Sequence, residues 1–268
     1  MARANRHHIP GQVWHITHRC HKQEFLLRFA KDRAQWIRWL FEAKKRYHLT
    51  ILNYIATSNH IHLLAVDDDS NPIPRSIQLA AGRTAQAFNR RKKRRGAFWE
   101  DRYHATAIES GAHLIRCLTY IDLNMVRAGV VSHPSEWPHS GFHEIQSPPS
   151  RYRLIDQERL IALTGAADDA DLRRAHREWI AQAIERGAMA RRPEFTSALA
   201  VGSARFVAQI QKQLGVRAHG RNITRTDDDA YTLREPEGTY SVDFDPKNGL
   251  LSAENSVFLD INGEDSVG

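Results

Sequence analysis

Two histidines with one residue between them, His60 and His62 in Asn59-His-Ile-His-Leu63, are the side chains best placed to do chemistry. On a strand, residues two apart leave by the same face, with Cβ atoms roughly 6–7 Å apart. Two neutral imidazoles converging from that base can share one metal ion. An HxH on a strand is more often structural or merely solvated. Here Ile61, Leu63 and Leu64 mark the strand as buried, where two unpaired imidazoles would be costly. Tyr120 and Asn124 in Leu118-Thr-Tyr-Ile-Asp-Leu-Asn124 stand one helical turn apart on one face, leaving Leu118, Ile121 and Met125 for the core. A phenol and a carboxamide oxygen so spaced could act as nucleophile and third metal ligand; a buried tyrosine with its hydroxyl satisfied is the plain alternative. The third feature is six consecutive cations, Arg90, Arg91, Lys92, Lys93, Arg94 and Arg95, followed by Phe98, Trp99, Arg102 and Tyr103. Cations that track a backbone beside rings that stack bases suit a single-stranded nucleic-acid groove, although Phe98 and Trp99 serve a core equally well.

These side chains need elements to hold them, and the first 145 residues alternate between two periods. Gln12–His18 alternates with period two and reads as a strand. Lys31–Tyr47 places Trp36, Trp39, Leu40 and Ala43 at helical spacing. Leu49–Ala56 and Ile61–Val66 read as adjacent strands joined at Thr57-Ser58-Asn59, and Asp67–Pro74 as a loop. Arg75–Arg91 is helical, His104–Glu109 a short strand, and Ser110–Ala128 a helix with Ser110 as N-cap and Gly129 as stop. The order β-α-β-β-α-β-α predicts an α+β fold: a split βαβ, ferredoxin-like antiparallel sheet with helices. Trp137–Ser150, rich in proline and serine, reads as a linker, and the boundary between the two domains is set at 146–153. Leu154–Gly187 and Phe195–Leu214 suggest a small α-helical C-terminal domain over 154–226, and 227–268 an acidic, flexible tail.

Charge narrows the class. The net charge is +7, yet from Asp227 to Gly268 eleven acidic residues face only Arg234 and Lys247, a net of −9. Removing −9 from +7 leaves +16 on Met1–Thr226, as expected of a protein that neutralises phosphates. No apolar run long enough to span a membrane occurs, and two cysteines without a CxxC pair fit a reducing cytoplasm.

Four ordered blocks resemble the REP-associated tyrosine transposases, relatives of the single-tyrosine HUH transposases of insertion elements. They are Ser58-Asn-His-Ile-His-Leu-Leu64, Gly96-Ala-Phe-Trp-Glu-Asp-Arg-Tyr103, Tyr120-Ile-Asp-Leu-Asn-Met-Val-Arg-Ala-Gly129 and Trp137-Pro-His-Ser140, within a resemblance spanning roughly Arg3–Phe142. The resemblance implies that residues 1–145 are the catalytic domain. It also implies that His60, His62 and Asn124 bind Mg2+ or Mn2+, and that Tyr120 is the nucleophile forming a 5′-phosphotyrosine. The implied substrate is a single-stranded DNA hairpin of the repetitive extragenic palindrome type. The chain departs from many relatives at Met125, where proline is frequent, and at Asp122, where histidine is common. Asp122 puts a carboxylate near the active helix, facing either solvent or a neighbouring side chain.

Three other readings compete: a hairpin-binding regulator with little catalysis; a metal-dependent hydrolase recruiting His104 or His113; and an RNA-binding sheet, which lacks the aromatic octapeptide of its class. Monomer and homodimer are equally compatible with the sequence.

Overall fold

In the computed structural model, residues 9–68, 70–187, 190–226 and 230–234 are described. The element order is β1 (Val13–Arg19), α1 (Ala30–Tyr47), β2 (Thr50–Ala56), β3 (His60–Val66), α2 (Pro72–Lys92), β4 (His104–Ile108), α3 (Ala112–Asp122) and α4 (Asn124–Arg127). There follow α5 (Phe142–Gln146), α6 (Gln157–Thr164), α7 (Asp169–Glu185), α8 (Glu194–Ser197), β5 (Ala200–Gly202), α9 (Ala204–Leu214), β6 (Asn222–Arg225) and β7 (Tyr231–Arg234). The α+β class expected from the alternating periods holds. The first four strands lie in the order β2-β3-β1-β4, all antiparallel neighbours, as the split βαβ pattern requires.

The sheet is wider than those four strands. β5 pairs with β4 in parallel, and β7 and β6 continue it antiparallel, so the order is β2-β3-β1-β4-β5-β7-β6. The helices read beyond Leu154 are present as α6, α7 and α9, but residues 200–234 also supply these three strands. Each is three or four residues long, too short for alternation to register in the sequence. Tyr231–Arg234, read as part of the acidic stretch, is the strand β7; from Glu235 onward that stretch lies outside the described residues.

Face assignment follows from register. Thr17 opposes His62 and Arg19 opposes His60 across β1 and β3, while His15 opposes Thr106 on β4, so these side chains share one face. Trp14, Ile16 and His18 point the other way. His18 stacks on Trp99, whose Nε1 donates to the Ala81 carbonyl of α2, which places α2 on that opposite face. There Ile77, Ala80, Ala81 and Phe88 of α2 are buried with Trp36 and Leu40 of α1. α2 starts earlier than read: Pro72 and Pro74 fall in its first turn, where a missing N–H costs no helical bond.

Trp137–Gly141, read as the start of a linker, is instead docked along the free edge of β2. Trp137 Nε1 donates to Ala56 O at 3.0 Å, Ala56 N to His139 O at 2.9 Å, and Gly141 N to Tyr54 O at 2.7 Å. An open edge exposes unpaired backbone groups, and this segment satisfies them. Gly141 is required here: a Cβ would sit 2.3 Å from Asn53 Oδ1.

The helix read from Ser110 to Ala128 begins one residue later, with Gly111 as its cap, and breaks at Leu123 (φ −77°, ψ 4°) into α3 and α4. Asp122 sits at the break with its side chain fully buried. Asn53 Nδ2 donates to Oδ1 at 2.9 Å and His176 Nε2 meets Oδ2 at 2.8 Å, while Gln146 Nε2 lies 2.7 Å from His176 Nδ1. The carboxylate therefore faces neighbours rather than solvent, and it ties the helix of Tyr120 to β2, α5 and α7. Asp122→Ala should destabilise the fold by roughly 3 kcal/mol, because it strands buried donors on two elements. Urea unfolding measures this; a loss below about 1 kcal/mol would assign the network no more weight than a surface pair.

Candidate active site

His60 and His62 leave β3 toward α3, with ring centroids 4.9 Å apart and planes nearly perpendicular. The Tyr120 ring lies 5.9 Å from that of His62. Asn124, just past the helix break, brings Nδ2 to 3.0 Å from His62 Nε2 and also hydrogen-bonds His60. All four line one cavity of about 270 Å³, together with Thr17, Arg19, Arg127, Ala128, Arg191 and Thr196. The four residues read as nucleophile and ligands thus converge.

The proton positions on the two imidazoles follow from their partners. A backbone carbonyl only accepts, so His15 Nδ1 donates to Phe195 O at 2.8 Å, leaving a lone pair on His15 Nε2. His62 Nδ1, 2.8 Å away, must then donate to it, which puts the His62 lone pair on Nε2, facing the cavity. His60 Nδ1 donates to Asn59 Oδ1 at 2.7 Å, with Thr57 Oγ1 at 3.0 Å, so its Nε2 also carries a lone pair. Outer partners that fix tautomer in this way are the usual support of metal-binding histidines. Burial holds His62 well below the ordinary imidazole range and lowers His15 to about 3 and His60 to about 4, with Arg19, Arg127 and Arg191 adding to the effect on His60. Both candidate ligands are therefore neutral at pH 7.

Those depressed values make stability depend on pH. A group whose folded value lies below its unfolded 6.5 contributes fully above about 6.5, and its contribution is lost as pH falls toward the folded value. Denaturation midpoints should be flat above pH 6.5 and decline between 6.5 and about 3–4. A His15→Gln variant, with one fewer group to protonate, should decline less steeply. Midpoints that rise on acidification would contradict buried neutral imidazoles.

Among the described residues no group of three or more His, Cys, Asp or Glu side chains is placed to hold a metal ion. The candidate set here is different: two imidazole lone pairs on one side of a polar cavity, with a carboxamide beside them. That donor set fits a divalent cation with positions left for phosphate oxygens, and imidazole suits Mn2+ better than Mg2+.

Tyr120 is raised above its ordinary value by burial, a push opposed first by Arg127. The Arg127 guanidinium lies 3.9 Å from the centre of the phenol ring and donates to the Tyr120 carbonyl at 2.7 Å. The helix break thus delivers both Asn124 and Arg127 to the cavity. On the far side Phe195 of α8 packs against Tyr120, ring centres 5.2 Å apart, and Arg191 and Thr196 from the same segment line the rim. An adjoining cavity of about 460 Å³ shares Thr17, Arg19, Arg191 and Thr196 and adds Glu100, Asp101, Arg102 and His104.

The remaining residues read as DNA contacts divide. Arg102 lines that adjoining cavity. Trp99 is held by its indole bond to Ala81 and its stack on His18, and Phe98 is core. Arg90, Arg91 and Lys92 form the last turn of α2, where cations complement the helix dipole, and Lys93 caps it with φ 49°. Arg91 pairs with Asp32 at 2.5 Å and Arg94 donates to Ala97 O at 2.8 Å, so part of the run anchors structure. None of Arg90 to Arg95 lines the cavity of Tyr120. Sequence reasoning missed His15, Arg19, Arg127, Arg191 and Phe195. Arg127 had a usable signal, three residues after Asn124; the others become neighbours only through sheet register or across 180 residues of chain.

Residues 12–124 match the model of the family described as "Transposase IS200 like". A search of curated proteins finds no match. Among solved structures, the "Structure of the REP associates tyrosine transposase bound to a REP hairpin" is 19% identical, with a TM-score of 0.48 over 55% of this chain and 87% of that one. The "Crystal structure of a putative transposase from deinococcus radiodurans r1" is 12% identical, with a TM-score of 0.33 over 48% of this chain and 97% of that one. The matched residues 12–124 carry β1 to β4, both candidate metal-binding histidines and Tyr120, so the likeness to the IS200-like transposases covers the part of the chain that builds the cavity.

Proposed function

We propose that this protein is a transposase that cuts and rejoins single-stranded DNA at hairpins of the repetitive extragenic palindrome type, with Tyr120 as nucleophile. The observation that carries the reading is the convergence of Tyr120, His60, His62 and Asn124 on one cavity ringed by Arg19, Arg127 and Arg191. In the proposed step the Tyr120 oxygen attacks phosphorus, the bond to the 3′ oxygen breaks, and a 5′-phosphotyrosine forms. The phenolic proton leaves to solvent and the departing 3′ oxygen takes one up. Burial disfavours the phenolate, so the guanidinium of Arg127 against the ring is what favours proton loss. Arg19 and Arg191 are positioned to hold the phosphate in line, and positioning supplies much of the rate in such reactions. A divalent cation, Mg2+ or Mn2+, held by His60, His62 and the Asn124 amide oxygen would supply Lewis-acid stabilisation of the phosphoryl oxygens. Because the linkage to tyrosine preserves a phosphodiester, a 3′-hydroxyl can later reverse it without ATP.

The test is a denaturing gel of hairpin DNA labelled at either end and incubated with protein and Mn2+. The expected result is that the 3′ label migrates with protein while the 5′-labelled fragment is released with an extendable 3′-hydroxyl. A free 5′-phosphate with no attached protein would transfer the chemistry to water. Binding without cutting would reduce the protein to a hairpin-binding regulator.

A further inference from the structure

The segment joining β1 to α1 holds an unusual arrangement. Lys22 and Gln23 are consecutive non-glycine residues in the left-handed region, with φ of 51° and 56°, a conformation that persists only where surroundings enforce it. Enforcement is visible: Cys20 N donates to Asn59 O, His21 N to Phe98 O and Leu27 N to Ser58 O, all within 2.7–2.9 Å. The segment so fixed buries Leu26 and Leu27 yet turns Phe25 and Phe29 outward, 65% and 48% exposed. Two phenylalanines exposed to this extent on a pinned segment bury little apolar surface for the fold.

Their surroundings are cationic. Around the Phe29 ring stand Lys92 at 5.4 Å and Arg28 and Lys31 at 5.9 Å from its centre. Lys92 belongs to the basic run that ends α2, and Arg94 of that run reaches Glu24 at 3.9 Å, so the segment and the run form one surface. A small cavity of about 150 Å³, lined by Arg19, Gln23, Asn59, His60 and Arg191, joins this segment to the candidate catalytic pocket.

We infer that Phe25 and Phe29 are stacking platforms for unpaired nucleobases of the DNA strand that enters the Tyr120 pocket, with Arg28, Lys31 and Lys92 meeting its phosphates. Bases and phosphates alternate along a single strand, and rings set among cations match that alternation. An apolar protein partner would instead have to strip water from the surrounding ammonium and guanidinium groups. The inference rests on the reading that the substrate is single-stranded DNA. It also relocates the aromatic component of the groove from Phe98 and Trp99, which the fold consumes, to two rings on the same basic surface.

The experiment uses the full chain in EDTA, so that binding is read without cutting, and hairpins carrying 2-aminopurine at successive unpaired flanking positions. Wild-type protein is expected to quench the probe at one or two positions. Phe25→Ala and Phe29→Ala should relieve that quenching and weaken tailed-hairpin binding by about 5- to 100-fold each, whereas Phe29→Trp keeps both. The same alanine variants should bind a hairpin without unpaired flanks as wild type does. Lys92→Ala should lower the salt slope by about 0.7 while Phe29→Ala leaves it unchanged. Unaltered affinity and quenching in the Phe25→Ala/Phe29→Ala double variant would overturn the platform. So would a change in sedimentation with DNA affinity intact, which would make the patch a self-association surface. Failure of wild-type protein to bind any single strand removes the platform and the proposed function together. Stacking with no cleavage in Mn2+ sustains the platform and removes only the catalytic reading.

Discussion

Replacing Tyr120 with phenylalanine is expected to eliminate covalent protein–DNA complex, lowering cleavage by at least about 10⁴-fold, while hairpin affinity stays within about twofold. The substitution removes one oxygen and keeps the ring. The ring is what packs: it meets Phe195 at 5.2 Å, His62 at 5.9 Å and His15 at 6.2 Å, and it carries Arg127 over its face. Loss of activity with an unaltered melting curve would therefore report on the nucleophile and not on the fold. Residual covalent complex in Tyr120→Phe would place the nucleophile elsewhere.

The second large effect concerns the histidine pair, and the two members should differ in an informative way. His60→Ala and His62→Ala are each expected to weaken Mn2+ binding by more than about 100-fold, because removing a ligand exceeds the 10–100-fold loss typical of its outer partners. Each should also abolish cleavage. Their structural consequences diverge. His62 is buried between His15 Nε2 and Asn124 Nδ2, so its loss strands the fully buried His15 ring nitrogen beside a half-buried Asn124 amide and should cost roughly 2 kcal/mol. His60 is only partly buried and its Nδ1 partners, Asn59 and Thr57, lie in the adjoining turn, so His60→Ala should leave urea stability almost unchanged. Calorimetric titration with Mn2+ and urea unfolding of both variants separate ligand loss from unfolding. Wild-type Mn2+ affinity in either variant would remove that residue from the metal set.

Much of this site was legible because β-strand alternation is strict. Knowing only that Ile61, Leu63 and Leu64 are apolar is enough to place His60 and His62 on one face, and the register with Thr17 and Arg19 agrees. The helical spacing of Tyr120 and Asn124 gave their common face, although the chain departs from a single helix at Leu123. That break depends on tertiary partners, including Asp122 with Asn53 and His176, which propensity does not encode. His15 was illegible for a related reason: one histidine in an alternating strand has no distinguishing spacing, and its role arises from a carbonyl 180 residues away. The same holds for Arg191, whose segment contributes to a cavity otherwise built from residues 17 to 128. Aromatics misled in the opposite sense. Phe98 and Trp99 follow the cations in sequence, yet Phe98 is buried and the half-buried Trp99 is tied to Ala81 and His18, while Phe25 and Phe29 reach the same surface through folding.

The central claim is that a DNA phosphate becomes bonded to the Tyr120 oxygen. Cleavage after lysine and arginine releases Cys117–Arg127 as one peptide containing a single tyrosine. Mass spectrometry of that peptide, after reaction with hairpin DNA and Mn2+ and nuclease trimming, should show it heavier by a nucleotide with the fragment ions placing the addition on Tyr120. A nucleotide on any other peptide, or cut DNA with every peptide unmodified, would contradict the account.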